Sequence, residues 1–295
     1  MVKELEKLKN RAAALFLAPG LGLYLLFVIG PLIFSVYYSF VKWNGVGAKE
    51  FVGIANYIKL YKFDQFWIAF MNNMKLIIVS LIVQVPSAFI FAYLLYRNTK
   101  GYKAFRAILF LPVVVSPIAI GAMFSIFYNS EIGLFNVLLD ALHMGSLKRQ
   151  WLSDPKILLY SVMAPQVWQF IGYHMVIQFA AMQSIPHQVI ESASIDGAGS
   201  TGILFRIVLP MMWDVIQISI ILCVTGSLKA FGHSWIMTQG GPGVRSSYLT
   251  VLMFRMAFLE RNFGMSSAIS LNIVVMALLF TVVFKRMAKR SSIEY

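Results

Sequence analysis

Six mostly apolar stretches divide the chain, near residues 13–40, 70–96, 105–128, 157–182, 207–231 and 264–286. Each is long enough for a helix that crosses a bilayer, which takes about 20 residues. Between them lie Gly, Pro, Asn and charges, as in connecting loops. The pattern predicts an all-α membrane protein of six transmembrane helices, a single transmembrane domain over residues 1–295. The first run follows Lys3, Lys7, Lys9 and Arg11, as a secretory signal would. Its apolar part is too long for a signal, and the bulky "GPLIFSVYYSF" follows where a small-residue cleavage site would stand, so it reads as a retained helix. Pro19, Pro31, Pro86, Pro112, Pro117 and Pro165 fall inside the runs. Such breaks survive in membranes where neighbouring helices or a wet cavity satisfy the freed backbone groups. They suit a bundle that changes shape and a statically kinked one equally.

Composition agrees with a bilayer. Hydrophobic residues make up 59% of the chain and charged residues 13%, against about 25% charged in soluble domains. The net charge of +13 is not carried by a basic run interleaved with aromatics, so a nucleic-acid partner is not expected. Lys and Arg orient the helices instead. With both termini in the cytoplasm, the inner segments 1–12, 97–106, 183–206 and 285–295 are about twice as dense in cations as the outer ones. Cys223 is the one cysteine, which rules out an internal disulfide. The four histidines (143, 174, 187 and 233) lack metal-ligand spacing, and no Ser/His/Asp set or carboxylate pair emerges. Neither a metal site nor a catalytic site is expected, and the chain does not read as an enzyme.

Residues 197–202, "GAGSTG", spell G-x-G-x-x-G. A dinucleotide turn needs a strand before it and a βαβ unit of some 30 residues around it. Here the upstream segment is a span ending "VIQFAAMQSIP", and no Gly-Lys-Ser/Thr follows. The nucleotide reading fails. Residues 187–196 form a short helix in this reading, Gly197 supplies a position free to adopt positive φ, and residues 200–206 begin a second helix.

Ile185-Pro186, Glu191-Ser192-Ala193, Ile195-Asp196-Gly197-Ala198 and Phe205, Ile207, Leu209, Pro210 resemble the EAA signature of ABC importer permeases. Ser192 stands where that signature has its first Ala, and Gly199 and Gly202 replace larger polar residues. The likeness extends along the chain. "FLAPGLGLYLLFVIGPLIFSVYYSF", "FVGIANYIKLY", "FRAILFLPVVVSPIAIGAMFSIFYNSEIGLFN" and "TQGGPGVRSSYLTVLMFRMAFLERNFGMSSAIS" are similar to the carbohydrate-importing branch, of maltose and glycerol-3-phosphate type. The last segment resembles the first, MalF-like, member of a permease pair. The resemblance implies a type I permease fold in a bacterial or archaeal cytoplasmic membrane. It also implies a second homologous permease, two ABC ATPase subunits that use ATP and Mg, and an extracytoplasmic solute-binding protein. The expected solute is a carbohydrate, an oligosaccharide, and the chain itself binds no cofactor. Within the loop 183–206, Glu191, Ser192, Ala193, Asp196, Gly197 and Ala198 are the expected ATPase-coupling residues. Glu191 would make polar contacts, Ala193 and Ala198 would permit close approach, and Gly197 would set the bend.

Gln166, Gln169, Phe170 and Tyr173 are spaced i, i+3, i+4, i+7, two amides and two rings along one helical face. Amides and aromatics suit a sugar's hydroxyls and apolar ring faces, and buried amides also serve as glue between helices. The resemblance points to this span as sugar-contacting. It also matches Ser227 and Ala230 to positions near sugar, where Asn is more usual, with Lys229 adjacent. Lys229 either snorkels outward or faces the cavity, where it would favour an anionic solute. Two rivals stand beside this reading. A secondary transporter would need intramembrane ionisable groups and repeated halves, and an ABC permease for a non-sugar solute would share the loop.

Overall fold

The computed structural model describes residues 2–97 and 101–288. Lys100, Lys289 and Arg290, which count in the orientation argument, lie outside them. The described chain is almost wholly helical. In chain order it runs α1 (Val2–Tyr24), α2 (Gly30–Ser39), β1 (Val41–Lys42), β2 (Glu50–Phe51), α3 (Ala55–Tyr61), α4 (Asp64–Val79) and α5 (Val85–Tyr96). Next come α6 (Tyr102–Val114), α7 (Pro117–Phe127), α8 (Leu134–Ala141), α9 (Leu158–Met182), α10 (His187–Ile195), α11 (Ser200–Ile203) and α12 (Leu209–Met211). The last four are α13 (Trp213–Leu228), α14 (Gly232–Thr238), α15 (Leu249–Phe254) and α16 (Phe263–Ala288).

Among the described residues, four helical stretches are long and apolar enough to cross a membrane: Ala12–Ser39, Asp64–Tyr96, Trp213–Thr238 and Phe263–Ala288. The continuous span expected over 105–128 is instead two helices, α6 and α7, bent by 95°. Val115 is extended at ψ 140°, and Pro117 opens α7 behind Ser116, whose side chain accepts from the Ile118 N–H. Proline disfavours a helical residue before it, so the chain must leave α6 here. Helix α9 has 25 residues, about 37 Å at 1.5 Å per residue. It is long enough to cross, yet too polar to stand among the four.

Three of the breaks share one cause. Wide π turns at Leu25–Ile29, Ser80–Gln84 and Leu204–Val208 each lead into a helix whose second residue is proline: Pro31, Pro86 and Pro210. Proline has no N–H to give, and its ring crowds the carbonyl four residues back. The residue before it bonds five back instead, Gly30 to Leu25, Val85 to Ser80 and Leu209 to Leu204. The extra residue in the turn relieves the clash and keeps the span running.

The chain divides into two compact units. In the first, residues 1–63 and 253–272, the first span ends on a small antiparallel hairpin pairing Val41 with Phe51 and Lys42 with Glu50. Buried Asn56 donates to the Ser39 and Val41 carbonyls, at 2.8 and 3.0 Å, and satisfies the helix end. Trp43 stacks on Tyr38 and packs against a tilted Phe263, with centroids 4.9 and 5.3 Å away.

The second unit, residues 64–252 and 273–295, is built round α9. Its buried residues include Gln166, Gln169, His174 and Gln178 as well as Val162, Met163, Met175 and Phe179. At Gly172 a Cβ would lie 2.0 Å from the Leu109 carbonyl oxygen, so α9 and α6 touch backbone to backbone there. One apolar cluster joins α5, α9 and the segment after α10, through Ala88, Ala92, Met175, Met182, Ile203 and Met212. A second gathers Leu76, Tyr128, Val162, Met163 and Tyr248. Fully buried Asn73 ties the unit together, donating to the Ser227 carbonyl and accepting from the Leu249 N–H, both at 2.8 Å.

Candidate functional site: a polar and aromatic cavity and a helical elbow

The cavity lies in the second unit and has a volume of about 340 Å³, within the range of small-ligand sites. Helix α9 presents Gln166, Phe170, Tyr173 and His174 to it. The π turn between α4 and α5 brings Ser80 and Gln84, and α13 with the residue after it brings Cys223, Thr225, Ser227 and Lys229. Lys229 is exposed and is the one cation among the lining residues, which include no Asp or Glu.

Five of the residues expected from sequence meet here: Gln166, Phe170, Tyr173, Ser227 and Lys229. Lys229 thus faces the cavity. Two do not line it. Gln169 is fully buried and turns the other way, donating to the Pro112 and Val115 carbonyls at 3.0 and 2.8 Å. Those are acceptors at the proline-containing end of α6 where it breaks, so its amide acts as helix glue. Ala230 is buried beside Leu76, Tyr128 and Val162, and its carbonyl accepts from the Thr250 hydroxyl. Ser227 is partly committed, since its hydroxyl donates to the Cys223 carbonyl at 2.8 Å.

Sequence reasoning missed Ser80, Gln84, His174, Cys223 and Thr225 as wall residues. The available signal was an amide two residues before Pro86 in an otherwise apolar run, where a widened turn re-aims a side chain. The π turn that Pro86 requires carries both Ser80 and Gln84 into the cavity.

The second feature is the elbow expected in residues 183–206. α10 ends where Gly197 adopts φ +81°, and α11 begins three residues later. The Asp196, Gly197 and Ala198 N–H groups bond to the Ser192, Ser194 and Ala193 carbonyls at 3.0, 3.1 and 2.9 Å. A left-handed residue just past a helix closes the last carbonyls in this way, and glycine adopts it without strain. Glu191, Ser192, Asp196 and Gly197 are exposed. Ala193 and Ala198 are half-buried and pack against the chain's own cluster of Met182, Ile203 and Met212. Within this chain their close approach is to its own body. Ile195, named in the signature but not among the expected coupling residues, is 86% exposed on the same helix as Glu191.

Span two holds the elbow from behind. Arg97 donates to the Ser200 hydroxyl at 3.0 Å, Tyr93 donates to the Ser200 carbonyl at 3.2 Å, and Tyr96 stacks on His187 at 6.3 Å and 8°. Both elbow helices are thus fastened to the C-terminal end of the span whose π turn lines the cavity.

Residues 84–292 match the family described as binding-protein-dependent transport system inner membrane component. The chain belongs to that family. It is a multi-pass inner-membrane protein, a transport component rather than an enzyme. Among its relatives, a probable ABC transporter permease protein of Bacillus subtilis, YurN, is 34% identical over 90% of this chain and 91% of its own. The trehalose/maltose transport system permease protein MalF of Thermococcus litoralis is 29% identical over 96% of this chain and 97% of its own. A crystal structure of a bacterial alginate ABC transporter, in complex with a periplasmic protein bound to alginate pentasaccharide, shares the fold. Its TM-score is 0.84 at 20% identity, covering 98% of this chain and 97% of that one. The all-helical fold is therefore that of an ABC importer permease.

Proposed function

We propose that this chain is one of two homologous permeases in an ATP-driven importer for a carbohydrate, an oligosaccharide. Residues 1–295 form a single permease domain with six crossings and both termini in the cytoplasm. The four apolar spans, the bent α6–α7 pair and α9 supply the six, and the bias of Lys and Arg supports the orientation. Two ATPase subunits that use ATP and Mg dock beneath, one of them on the elbow. Glu191 and Ile195 offer that partner a polar and an apolar contact on one exposed helix, Ser192 and Asp196 extend the polar face, and Gly197 holds the bend. An extracytoplasmic solute-binding protein delivers the sugar. The transport systems of the relatives, named for trehalose/maltose and for alginate, support a carbohydrate solute.

The observation that carries this reading is the joining of elbow and cavity through one span. Gln84 lies nine residues before Tyr93, about 14 Å of helix. A displacement of α10 and α11 therefore reaches the cavity wall through α5 as a nearly rigid rod. Closure of the ATPases moves the elbow, and the wall carrying Ser80 and Gln84 moves with it relative to Gln166, Phe170 and Tyr173. Hydroxyls of the sugar bond to Gln166, Ser227 and Lys229 while its apolar ring faces stack on Phe170 and Tyr173.

A pull-down of the tagged native protein in mild detergent, with every co-purifying chain identified by mass spectrometry, tests the assembly. Recovery of a second permease and an ATP-binding-cassette subunit is expected. Recovery of this chain alone, under conditions that hold other importers together, refutes it.

A further inference from the structure

Two polar side chains in the cavity wall are more than nine-tenths buried, and each carries one atom without a hydrogen bond. Gln166 is 7% exposed, and its Oε1 has no hydrogen bond. His174 is 2% exposed, and its Nδ1 likewise has none. A buried polar atom left without a partner costs about 1–3 kcal/mol, so two in one cavity wall point to a ligand that satisfies them. Gln166 belongs to the sugar-binding stripe already described. His174 does not.

The depth of His174 follows from the bonds around it. Gln178, one turn further along α9, donates to the Ser219 hydroxyl on α13 at 3.3 Å. One turn back from that bond on α9 is His174, and one turn on along α13 is Cys223. The Cys223 thiol in turn donates to Gln84 Oε1 at 3.5 Å. His174, Cys223 and Gln84 therefore form one tier, directly above the Gln178–Ser219 bond on the elbow side of the cavity. Phe170, one turn from each on α9, lies between this tier and Gln166.

We propose that His174 is the centre of an inner hydroxyl-binding subsite, completed by Gln84 and Cys223, that holds the leading ring of the incoming sugar above the Gln178–Ser219 bond. An imidazole offers one donor and one acceptor, as a sugar hydroxyl does, so the two are complementary. Gln84 adds an amide from the wall that moves with the elbow, so this tier changes when the elbow moves. The subsite rests on the carbohydrate reading and extends it to residues outside the α9 stripe and the end of α13.

The test uses the complete importer purified with the subunits that accompany it, and maltose, trehalose and an alginate oligosaccharide as probes. Hydrolysis of ATP is measured against probe concentration for wild type, His174→Leu and His174→Gln. His174→Leu raises the half-saturating probe concentration about tenfold at unchanged maximal rate, and His174→Gln, which keeps a donor and an acceptor, restores most of it. Cys223 is the sole cysteine of the chain, so labelling it with N-ethylmaleimide reports the same tier without substitution, and the probe slows that labelling in wild type. A wild-type response to a probe with unchanged half-saturation in His174→Leu overturns the subsite alone. So does Cys223 labelling that the probe leaves unaltered, a result that decides the matter even if neither variant assembles. If no probe stimulates the wild type, the carbohydrate reading fails and the subsite falls with it.

Discussion

Gly197 sets the angle between the elbow helices, and its replacement isolates backbone strain from packing. At φ +81° it lies in the left-handed region, and a Cβ built there meets nothing within 4 Å. Substitution therefore brings no clash, only the conformational cost. For an ordinary L-residue that cost is roughly 1–2 kcal/mol, and a β-branched side chain adds to it, because φ > 0 is a genuine outlier for such residues. Asparagine visits this region more readily. A valine either holds the bend at that cost or abandons it, losing the Gly197 and Ala198 N–H bonds to Ser194 and Ala193. A penalty of 2 kcal/mol changes the bent population about thirtyfold, enough to uncouple a lever. Uptake is measured in cells for Gly197→Asn, Gly197→Ala and Gly197→Val, each normalised to the amount of chain in the membrane. Transport falls in the order Gly, Asn, Ala, Val, and valine abolishes it while insertion stays intact. Normal transport by the valine variant refutes the elbow reasoning. Loss in asparagine as complete as in valine shows that side-chain size matters rather than φ.

Further substitutions separate coupling, packing and binding. Ile195→Asp, on a side chain 86% exposed, leaves thermal stability unchanged and removes the ATPase from the pull-down. Asn73→Leu strands the buried Leu249 N–H and leaves the Ser227 carbonyl with the Ala230 N–H, costs about 1–3 kcal/mol for the stranded group, and lowers the melting temperature of the purified complex. Gly172→Ala drives a methyl into the Leu109 carbonyl and destabilises by about 1–3 kcal/mol or more as α9 and α6 part, read by the same melt. Gln169→Leu strands the Val115 carbonyl, leaves the Pro112 carbonyl with the Val115 N–H alone and lowers the melt as well, but leaves the preference among sugars unchanged, since this amide faces away from the cavity.

What was legible in the sequence followed from local rules. Long apolar runs mark the spans at Ala12–Ser39, Asp64–Tyr96 and Phe263–Ala288 because hydrophobicity alone decides them. The elbow was readable because its bend needs a residue at positive φ, and Gly197 supplies it. The break between α6 and α7 was not, because Pro112 and Pro117 announce a kink without its size. The 95° turn is also held by Gln169, whose sequence neighbours do not reveal that it bonds to carbonyls 54 and 57 residues away. The α9 stripe is divided for a geometric reason, with Gln166, Phe170 and Tyr173 at the cavity and Gln169 away from it. At 100° per residue, Gln169 lies about 60° to one side of Gln166 and His174 about 80° to the other. The cavity opens on the second side, and only the packing of α5 and α13 decides which.

The central claim is that ATP hydrolysis by a partner, transmitted through this chain, drives a sugar inward. The most direct measurement is uptake of radiolabelled sugar into proteoliposomes holding the purified complex, with the delivery protein outside and ATP enclosed. Accumulation is predicted only when both are present, with no response to an imposed proton or sodium gradient. Accumulation driven by such a gradient without ATP would contradict the claim and identify the chain as an ion-coupled carrier.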